Sequence, residues 1–278
     1  MRGFSQVDVF TDEFLYGNPV AVVHDADGLS SEEMAAFARW TNLAETTFLL
    51  SPESPDADYR LRIFTISREL PFAGHPTLGS ARAWLARGGV PRVPWRPVQE
   101  CGAGLVTVRA EGARLAFAAP PLVRSGPVTL SELLALAAAL RVRPEDIVDA
   151  QWADNGPGWV AVLLPSAAAV LAVEPDFSLF GPFESVGVVG PHLDGGDAAF
   201  EVRAFVDEGS RFDEDPVTGS LNAAIAQWLI PAGIAAPSYV AAQGTVLGRR
   251  GRVHLSQADG EIWVGGDTVL GITGQLAL

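Results

Sequence analysis

The chain has 278 residues, 48% of them hydrophobic and 19% charged, which supplies a core for one large or two medium domains and excludes a disordered chain. Its formal net charge is −14, and its densest basic stretch is Arg249, Arg250 and Arg252. A nucleic-acid partner is therefore excluded, because displacing counterions from a polyanion needs clustered Lys and Arg.

No apolar run reaches membrane-spanning length, so no membrane partner is expected. The first ten residues, MRGFSQVDVF, lack the long apolar stretch of a secretion signal and read as a β-strand. The single cysteine, Cys101, excludes an intrachain disulfide and a CxxC site and suits a reducing, cytoplasmic compartment. His24, His75, His192 and His254 are scattered, with no pair at ligand spacing, so no metal is expected. The chain contains no lysine, which excludes lysine Schiff-base chemistry and the P-loop.

Taken in order, alternating or β-branched runs predict strands at 6–10, 20–24, 59–64, 105–109 and 114–118, with another beginning at Thr46. A proline-rich stretch follows at Pro120, Pro121 and Pro127 and marks a domain boundary. Beyond it the pattern predicts a helix at 130–140 and strands at 159–164, 185–189, 199–206, 239–242, 252–256, 262–264 and 269–276. Helices and strands mix without regular βαβ alternation, so the fold class is α+β. The expected domains are 1–121, completed by a C-terminal strand at 266–278, and 122–265.

Two segments echo each other. PFAGHPTLGSARAWLA begins at Pro71 and RFDEDPVTGSLNAAIAQWLI at Arg211; a shift of 140 aligns Phe72 with Phe212, Pro76 with Pro216, Gly79 with Gly219 and Ser80 with Ser220. A strand precedes each copy and an alanine-rich helix follows, with proline at its first position and the cap at His75 in one copy and Asp215 in the other. The helix bodies are apolar on nearly every face, as in a buried helix. A helix start offers free N–H groups and partial positive charge, so two such starts could supply anion sites in a chain that is acidic overall. Ordinary glycine-containing helix starts would give the same pattern.

Four blocks then carry a resemblance: VDVFTDEFLYGNPVAVV near the N-terminus, NLAETTFL at 42–49, ELPFAGHPTLGSA at 69–81 and EDPVTGSLNAAIAQWL at 214–229. Their order and spacing resemble the PhzF-like phenazine-biosynthesis family. The resemblance implies a diaminopimelate epimerase-like fold of two pseudo-symmetric domains, each a β-barrel-like sheet around a central helix, with the site between them. It also implies a homodimer, no cofactor, and a small carboxylic acid as substrate. Glu45 matches the family's acid–base glutamate. His75, Asp215 and Ser220 match residues that bind and orient the substrate and assist proton movement, and Gly74 and Gly219 match positions where backbone N–H groups approach a substrate carboxylate. Ala44 and Leu221 depart from the commonest family residues, which leaves the substrate open.

Each residue also has a plainer reading. Leu43 and Phe48 suit a partly desolvated Glu45 carboxyl, raised from its usual range toward acid–base work near neutral pH, yet a glutamate at a strand start is common. His75 beside a helix start suits a neutral hydrogen-bond donor, or a simple cap. Capping alone would account for Asp215, and turn formation for Asn18, which otherwise joins the substrate-binding group. Cys101 lies outside both echoed motifs, which rules out a two-thiol racemase and leaves it a buried packing residue. The expected activity is a cofactor-independent isomerisation in which Glu45 moves a carbon-bound proton. Epimerisation or dehydration of another small acid, and a non-catalytic binding role, are the alternatives.

Overall fold

A computed structural model describes residues 1–111, 114–193, 195–207 and 212–278. The chain divides into two compact units, the first comprising Met1–Ala118 with Gly265–Leu278 and the second Ala119–Val264.

The first unit contains β1 (Arg2–Val9), β2 (Asn18–Val23), α1 (Ser31–Thr41), β3 (Glu45–Leu50), β4 (Tyr59–Phe64), β5 (Glu69–Leu70), α2 (Gly74–Ala86), β6 (Val98–Cys101), β7 (Gly104–Glu111) and β8 (Arg114–Ala118). The second contains β9 (Arg124–Pro127), α3 (Leu130–Leu140), β10 (Asp149–Asp154), β11 (Trp159–Leu163), α4 (Ala167–Leu171), β12 (Ser185–Pro191), β13 (Phe200–Asp207), β14 (Phe212–Asp215), α5 (Gly219–Leu229), β15 (Ser238–Gln243) and β16 (Gly251–Ala258). The last strand, β17 (Glu261–Leu276), gives its residues from Gly265 onward to the first unit, where they pair antiparallel with β1.

Both units repeat one pairing scheme. In the first, β1 lies antiparallel to β2, β2 parallel to β3, β3 antiparallel to β4, and β4 antiparallel to β5 but parallel to β6, which returns antiparallel as β7. The second runs β10, β11, β12, β13, β14, β15 and β16 through the same sequence of orientations. The protein is therefore α+β and internally duplicated, with strands wrapped about a helix in each half. No helix among the described residues is long and apolar enough to cross a membrane.

The central helices have almost no solvent face. Leu78, Gly79, Ser80, Ala81 and Ala83 of α2 are buried, as are Leu221, Asn222, Ala223, Ala224, Ile225 and Ala226 of α5. In the first unit α2 packs on β1, β2, β3, β4 and β8. Glycine makes that approach possible: a Cβ on Gly79 would overlap Val20 Cγ1 and press on Val9. Val20 is fully buried and β-branched, so it has little rotamer freedom to yield. Gly79→Ala should therefore cost about 1–3 kcal/mol despite alanine's better helix propensity. A lowered urea midpoint would show this; an unchanged or raised midpoint would mean that the helix can shift away from β2.

The peripheral helices obey capping rules. Ser30 with Glu33 forms a capping box on α1, and Thr129 with Glu132 does so on α3, a helix whose expected span is matched by the structure. The central helices depart from expectation. Gly74 begins α2 after Ala73, so His75 and Pro76 lie inside its first turn. Pro76 is tolerated there because N–H groups of the first turn have no intrahelical partner. Gly219 begins α5 after Thr218, and Asp215 ends β14 instead of capping the helix. The cause is strand pairing: Asp215 stands opposite Ala204 of β13, and the chain turns into the helix only afterwards. The 140-residue echo thus matches motifs without matching helix starts, and Arg211, where its second copy begins, lies outside the described residues.

Helices α1 and α4 and the short strands β5, β6, β9, β10 and β14 were not expected from periodicity. The runs predicted separately at 262–264 and 269–276 are one strand, β17. Cys101 is half-buried at the end of β6, with Sγ 3.5 Å from the Gly104 carbonyl, because the β6–β7 turn follows at once.

Candidate active site

In the first unit, three elements converge. Helix α1 ends at Asn42 in the left-handed conformation, with φ 56°, and the chain turns directly into β3. Parallel pairing sets Glu45, the first residue of β3, beside Val20 of β2. One residue earlier on β2 is Pro19, whose carbonyl accepts a hydrogen bond from His75 in the first turn of α2. His75 Nε2 then lies 3.3 Å from Glu45 Oε2, the side chains being 6% and 15% exposed.

The surrounding contacts are local and specific. Ser80 Oγ donates to Thr47 Oγ1 at 2.9 Å, and Thr47 in turn donates to the Ala21 carbonyl at 3.1 Å, tying α2 to β3 and β2. Thr46 meets Thr41 across 2.8 Å, fixing the turn that presents Glu45. Gln99, wholly buried on β6, donates to Thr77 Oγ1 at 3.1 Å. Asp8 of β1 accepts from the Gly17 N–H at 3.2 Å and so steadies the loop that leads into β2. Asn18 is the first residue of that strand, paired with Val9 and buried, and not the turn residue its sequence context suggests. Gly74 is buried at the start of α2.

Burial carries the His75 imidazole from 6.5 down to about 3, against the smaller opposing pull of the Pro19 carbonyl. The ring is therefore neutral. A carbonyl only accepts, so the nitrogen facing Pro19 carries the hydrogen. Burial therefore disfavours the imidazolium form of His75, and the Pro19 carbonyl engages the ring from β2.

His24 behaves similarly, held at about 4 first by burial and then by Arg87, with Asp25 opposing. For both rings the unfolded chain gains a proton below about pH 6.5 that the folded chain does not accept until far lower. Stability contributed by neutral burial is complete above that pH and is lost as the pH falls, by up to about 1.4 kcal/mol per unit per histidine. Urea midpoints should fall between about pH 6.5 and 5, and His24→Asn should flatten the slope. A slope identical in wild type and His24→Asn would contradict this account of His24.

In the second unit, Asp215 ends β14 and Thr218 Oγ1 donates to its Oδ2 at 2.6 Å. Gln243 of β15, 1% exposed, joins strand to helix: Oε1 accepts from the Thr218 N–H at 3.0 Å and Asn222 Nδ2 at 2.8 Å. Its Nε2 donates to the Asp215 carbonyl at 3.1 Å and to Thr218 Oγ1 at 2.9 Å. Ser220 Oγ accepts from Trp159 Nε1 at 3.1 Å, and its carbonyl accepts from Asn155 Nδ2 at 2.9 Å. Gly219 is buried as the first residue of α5. Next to Asp215, Glu214 makes a bidentate pair with Arg203, at 2.9 and 2.7 Å, almost out of solvent.

Neither α2 nor α5 carries a capping side chain or an acidic residue in its first turn. Among the described residues no cluster of three His, Cys, Asp or Glu could hold a metal ion. A cavity of about 380 Å³ lined by His24, Tyr59, Trp84 and Arg87, and one of about 220 Å³ lined by His192, Glu201, Thr245 and Arg252, include none of Glu45, His75, Asp215 and Ser220. Pro19, Asp8, Gln99, Thr218, Asn222, Gln243 and Arg203 were not expected from sequence. Apart from the Thr218–Asp215 contact, their partners are distant in sequence or lie on the backbone, and no spacing rule marks them.

A duplicated unit of this topology defines a class, the isomerases and epimerases of the diaminopimelate epimerase-like fold. The chain superimposes on a PhzF-family crystal structure from Enterococcus faecalis with a TM-score of 0.81 and 25% identity, over 100% of this chain and 99% of that one. It is 38% identical to a trans-2,3-dihydro-3-hydroxyanthranilate isomerase of Pseudomonas aeruginosa over 68% of this chain and 66% of that protein. It is also 35% identical to the antisense-enhancing sequence 1 protein of Schizosaccharomyces pombe, over 99% of this chain and 98% of that protein. The model of the phenazine biosynthesis-like protein family, PhzC-PhzF, matches residues 7–274. The chain belongs to that family and is an isomerase.

Proposed function

We propose that the protein is a cofactor-independent isomerase in which Glu45 moves a proton between two carbons of a small unsaturated carboxylic acid. The observation that carries this reading is the pair itself: a glutamate at a strand start, largely removed from water, 3.3 Å from a neutral histidine. A positioned carboxyl group out of bulk water is suited to exchange a proton with carbon, since it serves in turn as base and acid. The free N–H groups at the start of α2, Gly74 among them, supply dipoles that favour a substrate carboxylate and stabilise negative charge developing on the conjugated system. Asp215, Gly219 and Ser220 are assigned to substrate binding and orientation through their match to the family motif, and Asn18 through its burial at the start of β2. The protein acts as a homodimer in this reading, with no metal and no nucleic acid.

The test is proton NMR of the purified protein in D₂O with trans-2,3-dihydro-3-hydroxyanthranilate, the compound in the name of the Pseudomonas aeruginosa relative, and a panel of unsaturated and hydroxylated carboxylic acids. Isomerisation of one compound, with deuterium at the receiving carbon where the proton exchanges with solvent, supports the reading. Epimerisation or loss of water from a panel member would replace it with a different reaction. No conversion of any of them would remove the substrate class proposed.

A further inference from the structure

We propose that Gln243 and Thr218 are positioning residues for Asp215: Gln243 fixes the direction of the Thr218 hydroxyl, and that hydroxyl holds the Asp215 carboxyl group in one orientation for substrate. The inference rests on the assignment of Asp215 to substrate orientation and adds what keeps it in place.

Two backbone groups decide which way the Gln243 amide faces. The Thr218 N–H, 3.0 Å from one end of the amide, only donates, and the Asp215 carbonyl, 3.1 Å from the other, only accepts. Oε1 therefore faces Thr218 and Nε2 faces Asp215, and Asn222 Nδ2 adds a second donor to Oε1 at 2.8 Å. With the amide fixed, Nε2 also donates to Thr218 Oγ1, 2.9 Å away. The hydroxyl takes that hydrogen on a lone pair, so its own hydrogen points elsewhere. It goes to Asp215 Oδ2, at 2.6 Å. Amide, hydroxyl and carboxyl group thus form a chain with a single direction. Gln243 and Asn222 are each 1% exposed and Thr218 is 7% exposed, so bulk water has little access to it.

The first unit repeats part of this arrangement. Gln99 lies on β6, the strand equivalent to β15, is wholly buried, and donates through Nε2 to Thr77 Oγ1 in the first turn of α2. Each half therefore sets a buried glutamine on a threonine hydroxyl where the central helix begins. In the second half the threonine passes the contact on to Asp215, the motif counterpart of His75.

The alternative is a purely structural role, in which Gln243 Oε1 ties β15 to the start of α5, a helix without a capping side chain. Thr218→Val separates the two roles, because it keeps the backbone N–H and the shape of threonine and removes only the hydroxyl. Gln243→Glu separates them from the amide side. A carboxylate oxygen in place of Nε2 accepts, so the Thr218 hydroxyl turns its hydrogen to that oxygen and away from Asp215.

The test combines crystal structures, which need no substrate, with kinetics. In the wild type Asp215 should occupy one rotamer, on Thr218 Oγ1. In Thr218→Val and Gln243→Glu it should leave that position, and Thr218→Ser should restore it. Asp215 held in the same rotamer without the hydroxyl would overturn the proposal whatever the activity. If Gln243→Glu fails to fold, the two Thr218 variants carry the test. On the acid that the NMR screen converts, Thr218→Val should lower kcat/KM by about tenfold, the usual contribution of one hydrogen bond, and Thr218→Ser should recover it. In an Asp215→Asn background Thr218→Val should cost nothing further. Equal losses in both backgrounds would overturn the proposal in favour of the structural role. A displaced Asp215 with unchanged kcat/KM would overturn the assignment of Asp215 to substrate, while the acid–base reading of Glu45 stands or falls separately, on Glu45→Gln.

Discussion

Glu45→Gln is expected to lower turnover by about 10²–10⁴-fold, the usual contribution of one positioned acid–base group, while leaving the fold intact. Glutamine has the same shape and can still meet His75 through its amide, so the packing among β2, β3 and α2 survives. What is lost is a group able to exchange a proton with carbon. The measurement is kcat on whichever acid the NMR screen identifies, with a urea midpoint for the same preparation. A variant within threefold of wild type would show that another group moves the proton. A large loss of activity together with a fallen midpoint would point to damage of the fold. His75→Asn should act differently, because it removes the imidazole beside Glu45 while leaving the carboxyl group itself.

The second large effect lies in the other unit and concerns stability. Arg203→Ala should destabilise that unit by about 3–5 kcal/mol, because it leaves Glu214 ionised and unpartnered in a nearly water-free place. Arg203 also donates through Nη1 to the carbonyls of Val170 and Val173 at the end of α4 and lies 5.1 Å from the Phe205 ring centre. Its removal therefore strands two backbone acceptors as well. Hydrogen exchange of the β13 and α5 amides, which reports on this unit without assuming that the whole chain unfolds in one step, should accelerate strongly. A double replacement, Arg203→Met with Glu214→Leu, should recover much of the loss, since a packed apolar pair avoids desolvating two charges. Failure of the double variant to recover would mean that the carbonyl contacts of Arg203 outweigh the ion pair. Glu214 is the residue before Asp215 on β14, so the same variants should also perturb the Asp215–Thr218 contact.

Much of this protein was legible from its sequence. The four motif blocks are written in consecutive residues, and they lead to the family and to the fold. The long apolar runs of β11, β12 and β13 and the helix α3 follow from periodicity because each buries a face set by neighbouring residues alone. The near-continuous apolar character of α2 and α5 was enough to make them central helices, since a helix apolar on nearly every face is a buried one.

The remainder depended on where distant segments meet. Proline and aspartate before α5 read as a helix start, but pairing of β14 with β13 holds Asp215 extended and delays the helix to Gly219. No local preference could report that, because the competing hydrogen bonds come from a strand about ten residues earlier. The short strands β5 and β9 carry too few residues to show a period, and exist only because a neighbour supplies their pairing. Likewise the sequence names Glu45 and His75 through their motifs, while only the parallel register of β2 and β3 puts Pro19's carbonyl on one side of the imidazole and Glu45 on the other. Residue type supplied an imidazole and a carboxyl group. Tertiary structure decided that they meet, because the Pro19 carbonyl, the Glu45 carboxyl group and the His75 ring belong to three elements that no local preference brings together.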